Sequence, residues 1–384
     1  MHRKDLVVAR EHERIAQNLL RHGIELVRGE ASFQDARNVR VRGTGDAADR
    51  VLAAEVVLIA VGSRPARPSG IAFEADEILD SDEVLALDRV PRSLCVVGAG
   101  VVGCEYASIF AALGVEVTLC DGRDRLLPFL DHEIADALLA QMRTMMTVVL
   151  GAPVERVAAT GGGAKTTLRA GQVIESERVL VAAGRVGNTE TLRLENAGLA
   201  ADARGLLCVD EHFRTAAPGV YAAGDVIGNP ALASASMEQG RVAICHAFDL
   251  AYKQRVSPLL PYGIYTLPEV SSVGETEESA RAKGLDCETG RAGFAQNARA
   301  MIQGDTAGLL KIVFRRGDRR LLGAHVVGEG ACETIHVALA YLQQDAPIDA
   351  FIDAVFNYPS ICEAYKYAAY DGLARLARSA ASGR

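Results

Sequence analysis

The chain has 384 residues, 49% of them hydrophobic and 23% charged, with a formal net charge of −8. That length supports two or three domains around a large core. The acidic balance, with no run of Lys and Arg, excludes nucleic acid as the main partner. No apolar run reaches membrane-spanning length, and the opening Met-His-Arg-Lys-Asp-Leu has no secretory h-region. Eight cysteines are scattered without CxxC or CxxxxC spacing. This points to reduced, mostly buried thiols in a cytoplasmic protein, with no structural zinc and no redox dithiol.

Residues 5–21 read as a helix with apolar Leu6, Val7, Ile15, Leu19 and Leu20 among charges. Residues 27–33 and 39–41 read as short strands, and 55–61 as a buried strand ending in Gly62-Ser63-Arg64-Pro65. After a loop, Ser81-Asp82-Glu83 can cap a short helix, and Arg89 and Pro91 mark a domain boundary.

The chain's organising stretch runs from Ser93 to Asp121. A buried strand over 94–97 turns through Gly98-Ala99-Gly100-Val101-Val102-Gly103 into a helix with Val102, Tyr106, Ile109 and Leu113 on one face. Gly114 ends that helix, and a second strand over 115–119 closes on Asp121. In such a βαβ unit the first glycine allows the tight turn and the second lets a pyrophosphate approach the backbone. The third lets helix and strand pack closely, and the terminal acid meets the adenosine ribose. The helix N-terminus favours the phosphates. Arg123 and Arg125 follow, either as solvated loop charges or, for one of them, as the partner of a 2′-phosphate.

A helix is expected over 131–145, then a hairpin of strands 154–160 and 165–170 around Gly161-Gly162-Gly163. That glycine run lacks P-loop spacing and reads as a turn. A buried strand over 178–183 ends in Gly184-Arg185-Val186-Gly187-Asn188. A short strand then leads to Gly224-Asp225 and a helical run over 232–252, with Asp225 either an N-cap or the holder of a ribityl or ribose hydroxyl. Beyond Pro258 the pattern becomes α+β. Strands are expected over 262–274, 291–294, 308–314 and 320–327, and helices over 275–283, 331–343 and 360–381.

Six segments together resemble the two-dinucleotide flavin disulfide-reductase family: residues 59–65, the glycine turn at 98–103, and residues 184–188, 221–225, 265–274 and 357–363. The resemblance implies an α/β fold, with an NAD(P)-binding Rossmann-like domain inserted in an incomplete FAD-binding domain and a C-terminal α+β dimerisation domain. The expected division is 1–88 and 206–256 for FAD, 89–205 for NAD(P) and 257–384 for dimerisation. The family's own FAD strand–GxGxxG–helix and cysteine-bearing segment are not in the sequence. An N-terminally truncated chain is therefore expected, short by ~30 residues or more.

Within the family, residues 103–110, 123–127 and 356–359 are most similar to members that pass hydride from NADPH to NAD through FAD. Dithiol-handling members place a catalytic His immediately before the Pro corresponding to Pro359, with a Glu at the position of Glu363. Here the residue before Pro359 is Tyr358, and a phenol with a pKa near 10 is a poor general base at neutral pH. The alternatives are a dihydrolipoamide dehydrogenase-like flavoprotein reductase and a non-catalytic NAD(P)-binding fragment.

The resemblance implies catalytic positions Glu105, Tyr358 and Glu363. It implies cofactor-binding positions Gly62, Gly98, Gly100, Gly103, Asp121, Arg123, Arg125, Gly184, Arg185, Gly224 and Asp225. Glu105 is expected near the nicotinamide, or else as a first-turn acid favoured by the helix dipole. Arg185 is expected near bound NAD(P), or else as a surface arginine. Tyr358 and Glu363 are expected at a homodimer interface, facing the partner's flavin or simply packing there. His336 reads as an interface or core histidine, and His12 and His132 as solvated. The expected cofactors are FAD, NAD and NADP. The expected partners are nicotinamide nucleotides and a second copy of the chain, with no metal, nucleic acid or membrane.

Overall fold

The computed structural model describes residues 2–45 and 48–382. It divides into two compact units, Met1–Ala66 with Arg185–Val256, and Arg67–Gly184 with Ser257–Arg384. The chain passes between them, so each is assembled from separated segments.

The first unit opens with α1 (His2–Arg21) and an antiparallel sheet of β1 (Glu30–Phe33), β2 (Asn38–Arg42) and β3 (Arg50–Ala53). β3 was not expected: it is mostly exposed and carries no alternating apolar pattern. β4 (Val57–Ile59) and β5 (Ser63–Pro65) follow.

In the second unit, β6 (Ile78–Leu79) leads to a 3₁₀ turn, Glu83–Ala86. Of the expected Ser81-Asp82-Glu83, Glu83 takes part in the cap, its Oε2 accepting the Asp80 N–H at 3.0 Å, and the side chain that holds the turn is Asp80. Its Oδ1 accepts the N–H groups of Asp82 and Glu83 at 2.9 and 3.0 Å. Then come β7 (Ser93–Val97), α2 (Val101–Ala112), β8 (Glu116–Cys120), α3 (His132–Met145) and β9 (Thr147–Val149). A hairpin sheet of β10 (Val154–Ala159), β11 (Ala164–Leu168) and β12 (Val173–Ser176) precedes β13 (Arg178–Val181). The parallel sheet has the order β6-β13-β7-β8-β9. Its strands are mostly apolar, as burial on both faces requires, with Ser93, Glu116, Thr147 and Arg178 at their starting ends.

The buried face of α2 differs from the expected one. Ile109 and Leu113 are 40% and 61% exposed, whereas Gly103, Cys104, Ala107 and Phe110 are buried. Small residues let the helix approach the sheet closely, and they outweigh the larger side chains on the opposite stripe.

The chain returns to the first unit through β14 (Arg185–Gly187), antiparallel to β5. It continues through β15 (Val220–Ala222), parallel to β4, and α4 (Ala233–Ala247). The second unit is completed by β16 (Tyr262–Ile264), β17 (Val270–Gly274), α5 (Glu277–Ala282), β18 (Cys287–Gly293) and α6 (Ala298–Gln303). β19 (Leu309–Arg315), β20 (Leu321–Val327), α7 (Ala331–Gln343), α8 (Asp349–Asp353) and α9 (Ala364–Ser382) follow. The antiparallel sheet runs β16-β17-β20-β19-β18, and Phe294, Phe314, Phe351 and Tyr365 fill its core. The last helix was expected from Ser360. Instead, Ser360 accepts the Cys362 N–H and starts a 3₁₀ turn, Ile361–Glu363, ahead of α9.

Candidate functional site

The turn between β7 and α2 shows three glycines under three different constraints. Gly98 has φ 107°, and a Cβ there would lie 2.5 Å from the Ala182 carbonyl oxygen. A Cβ on Gly103 would lie 1.8 Å from the Gly98 carbonyl oxygen, so only glycine lets α2 lie against the turn. A Cβ on Gly100 would meet nothing within 4 Å, and no side chain caps α2. The first N–H groups of α2 thus border open space, an arrangement that suits a pyrophosphate.

Asp121 extends from the end of β8 toward this turn, and its Oδ2 accepts the Ala99 N–H at 2.6 Å. Arg123 clasps the same carboxylate, Nε to Oδ1 at 2.9 Å and an Nη to Oδ2 at 2.6 Å. Burial works to raise the Asp121 pKa. The Arg123 guanidinium and the N–H groups of Arg123 and Ala99 outweigh it and hold the carboxyl below its usual range. Arg125 turns away, pairing with Asp136 and donating to the His132 carbonyl.

Glu105, at the fifth position of α2, is past the first turn, so the helix-dipole reading does not describe it. Its Oε1 accepts the Tyr265 N–H at 2.9 Å, and burial pushes its pKa up. Ser108, one turn on, accepts the Leu267 N–H at 3.0 Å. These two bonds tie α2 to the segment between β16 and β17. Gly184, φ 109°, ends the loop after β13 with open space around it.

In the first unit, Asp225, Arg185 and Ser63 come together. The Ser63 hydroxyl donates to Asp225 Oδ2 at 2.7 Å and accepts from Arg185 Nε at 2.7 Å. Arg185 also donates to the Ser63 carbonyl at 2.7 Å. The N-cap reading of Asp225 fails. Its carboxylate serves Ser63, and α4 starts only at Ala233. Gly224 has φ 83°, and its N–H donates to the buried Gln239 Oε1 at 2.8 Å. Gly62 has φ 68°, and a Cβ there would meet nothing within 4 Å. Asp225 Oδ1 makes no hydrogen bond among the described residues, so these groups fit a ligand rich in hydroxyls, such as the ribityl chain of a flavin.

Tyr358 is 75% exposed and Glu363 half-buried; no bond joins them to each other or to the glycine turn among the described residues. His336 is exposed on α7, so the core reading of that histidine is wrong for the single chain. His12 is exposed, and the exposed His132 pairs with Glu278. All eight cysteines are free; four are buried, three half-buried, and Cys208 is exposed. No group of three or more His, Cys, Asp or Glu among the described residues could hold a metal ion.

Sequence reasoning gave no role to Ser63 and missed a buried charge cluster. Lys311, 1% exposed on β19, reaches Asp131 at the start of α3 at 2.9 Å and Glu277 at 2.7 Å. Glu133 is shared with Arg291. The signal available was a lysine inside the apolar run of β19, a position a strand tolerates only when the ammonium is paired.

Residues 2–240 match the family described as Pyridine nucleotide-disulphide oxidoreductase, and residues 260–369 match its dimerisation domain. The chain belongs to the pyridine nucleotide-disulphide oxidoreductase family. It is 41% identical over 371 residues to the soluble pyridine nucleotide transhydrogenase of Mycobacterium bovis, covering 96% of this chain and 79% of that protein. To the protein of the same name from Pseudomonas aeruginosa it is 43% identical over 360 residues, covering 93% and 77%. Among solved structures it resembles the HOCl-induced flavoprotein disulfide reductase RclA from Escherichia coli, with a TM-score of 0.90, 28% identity and coverage of 96% and 84%. It also resembles LpdA from Mycobacterium tuberculosis, with a TM-score of 0.87, 29% identity and coverage of 95% and 81%.

The family resemblance and the fold class expected from the sequence agree with these matches. Membership of the pyridine nucleotide-disulphide oxidoreductases implies use of FAD and NAD(P), and the dimerisation domain implies a homo-oligomer. No helix among the described residues is long and apolar enough to cross a membrane.

Proposed function

We propose that this chain is a soluble NAD(P) transhydrogenase that carries hydride from NADPH to NAD in the cytoplasm as a homodimer. The observation that carries this reading is the pairing of Asp121 and Arg123 beside the glycine turn. A site that takes both nucleotides in turn needs an acceptor for a ribose 2′-hydroxyl and a cation for a 2′-phosphate, and these two residues supply both. FAD, when bound, supplies a two-electron carrier that accepts hydride from one nicotinamide and returns it to the other.

The residues of the chain do the binding and orienting. Gly98, Gly100 and Gly103 shape the turn that receives the pyrophosphate, and Gly184 lies open at the end of the neighbouring loop. Glu105, fixed by the Tyr265 N–H, would direct its carboxylate to the nicotinamide and stabilise the positive charge of the oxidised ring. Asp225, braced by Ser63 and Arg185, would hold the flavin's hydroxyl chain, with space at Gly62 for the group beside it. Tyr358 and Glu363 serve the dimer interface. A reaction made of two hydride transfers requires no proton from Tyr358.

The domain division that goes with this reading is FAD binding by 1–88 and 206–256, NAD(P) binding by 89–205 and dimerisation by 257–384. The test is the visible spectrum of the chain purified after expression with FAD supplied. Flavin bands that bleach with NADPH and return with NAD support the proposal. Bands that return only with a disulfide substrate indicate a reductase. A colourless protein that still binds NAD(P)H indicates a nucleotide-binding fragment.

A further inference from the structure

We propose that Arg123 is a latch on Asp121 that sets the balance between NADP(H) and NAD(H), released by a 2′-phosphate and resisting a 2′-hydroxyl. The inference rests on the reading of 98–121 as the nicotinamide-nucleotide site and goes beyond it. An arginine that merely adds affinity for a phosphate would leave the second nucleotide untouched; this one is placed to act on both, in opposite directions.

Asp121 does not present an open carboxylate. Its Oδ1 accepts the backbone N–H of Arg123 at 2.8 Å and Arg123 Nε at 2.9 Å. Its Oδ2 accepts the Ala99 N–H and an Nη of Arg123, both at 2.6 Å. With four donors in place, a ribose 2′-hydroxyl can reach the acid only by displacing one of them. The two backbone donors belong to the glycine turn and to the loop that follows β8. The guanidinium is the movable one, since its side chain is 49% exposed while that of Asp121 is 8% exposed.

A phosphate monoester near neutral pH carries more negative charge than a carboxylate and presents three acceptor oxygens, so it competes well for a guanidinium. NADP(H) therefore draws Arg123 outward, and Asp121 keeps its two backbone donors. NAD(H) offers the guanidinium nothing in exchange and must work against the clasp. Arg125 is directed to α3 instead, pairing with Asp136 and donating to the His132 carbonyl.

The experiment is fluorescence titration of the chain with NADPH and with NADH, for the unaltered protein and for Arg123→Ala, Arg123→Gln, Asp121→Asn and Arg125→Ala. Arg123→Ala is expected to weaken NADPH roughly ten- to hundredfold. It is also expected to tighten NADH about two- to fivefold, the scale of releasing a half-exposed ion pair. Asp121→Asn is expected to do the reverse, weakening NADH while NADPH holds or tightens. Arg123→Gln repeats the test should the alanine variant fold poorly. Weaker NADPH with unchanged or weaker NADH in both Arg123 variants overturns the latch and leaves the site standing. A large NADPH loss in Arg125→Ala with none at Arg123 also overturns it. An unaltered chain that binds neither nucleotide overturns the latch and the reading of the site together.

Discussion

Gly103 lies against the carbonyl of Gly98, so closely that a Cβ on Gly103 would sit 1.8 Å from that oxygen. Two residues later in the turn than Gly98, a Cβ on Gly100 would meet nothing within 4 Å. Gly103→Ala must push α2 off the turn, at a cost of ~1–3 kcal/mol or more, and nucleotide binding should fall with it. Gly100→Ala should keep stability within about 1 kcal/mol while crowding the phosphate approach. Urea unfolding together with NADH titration separates the two. The expected result is both properties lost for Gly103→Ala and binding alone lost for Gly100→Ala.

Glu105 is a carboxylate whose pKa burial raises above the ordinary value of 4.5. Hydride transfer that uses its charge should slow as pH falls through that raised value. Glu105→Gln retains an acceptor for the Tyr265 N–H, so the fold should persist. The acid limb of the kcat profile should disappear, with a lower plateau. An unchanged profile would remove Glu105 from the nicotinamide site.

Asp225 is held by Ser63 at 2.7 Å and lies 3.8 Å from the Nε of Arg185, which shares the same hydroxyl. Asp225→Ala removes an acceptor for the flavin's hydroxyls and leaves Ser63 and Arg185 without their anion. The expected outcome is loss of FAD on gel filtration at dilution, read from the ratio of flavin to protein absorbance. NADH binding at the glycine turn should change less than twofold, the scale of a side chain outside that site.

Lys311 and Asp131 form a buried pair. Burial opposes the Lys311 charge, yet Glu277 and Asp131 raise its pKa above 10.5. A cation whose pKa rises on folding contributes fully below its unfolded value and is lost as pH climbs through its folded one. Burial likewise opposes the Asp131 charge, and His325, Lys311 and the Glu277 N–H together still hold that carboxyl below 3.8. Its contribution is present above the unfolded value and fades as pH falls through the folded one. Stability from the pair should therefore be flat through neutral pH and fail at both extremes. Lys311→Met strands the acids and should cost about 3–5 kcal/mol, measured by thermal unfolding at fixed protein concentration.

Local features were legible where one residue type has one physical use. The turn glycines, Gly114 after α2, the 154–170 hairpin and α7 at its observed bounds all follow from backbone constraint or periodicity. The buried face of α2 was not legible, because the helix is apolar nearly all round. Close packing selected Gly103, Cys104 and Ala107 over Ile109 and Leu113. The lysine inside the apolar run of β19 signals a buried cation, but its partner Asp131 is far away in sequence and no local pattern names it. Arg185 carried a cofactor expectation from its motif, whereas its partners Ser63 and Asp225 are set by β5 and β14 pairing across the chain.

The most direct test of the proposed activity is a transfer assay. The chain, loaded with FAD, is mixed with NADPH and an NAD analogue whose reduced form absorbs at its own wavelength. Reduction of the analogue in step with NADPH oxidation, without added disulfide or dithiol, is the predicted result. NADPH oxidation that requires a disulfide substrate, or that proceeds with no reduction of the analogue, would contradict it.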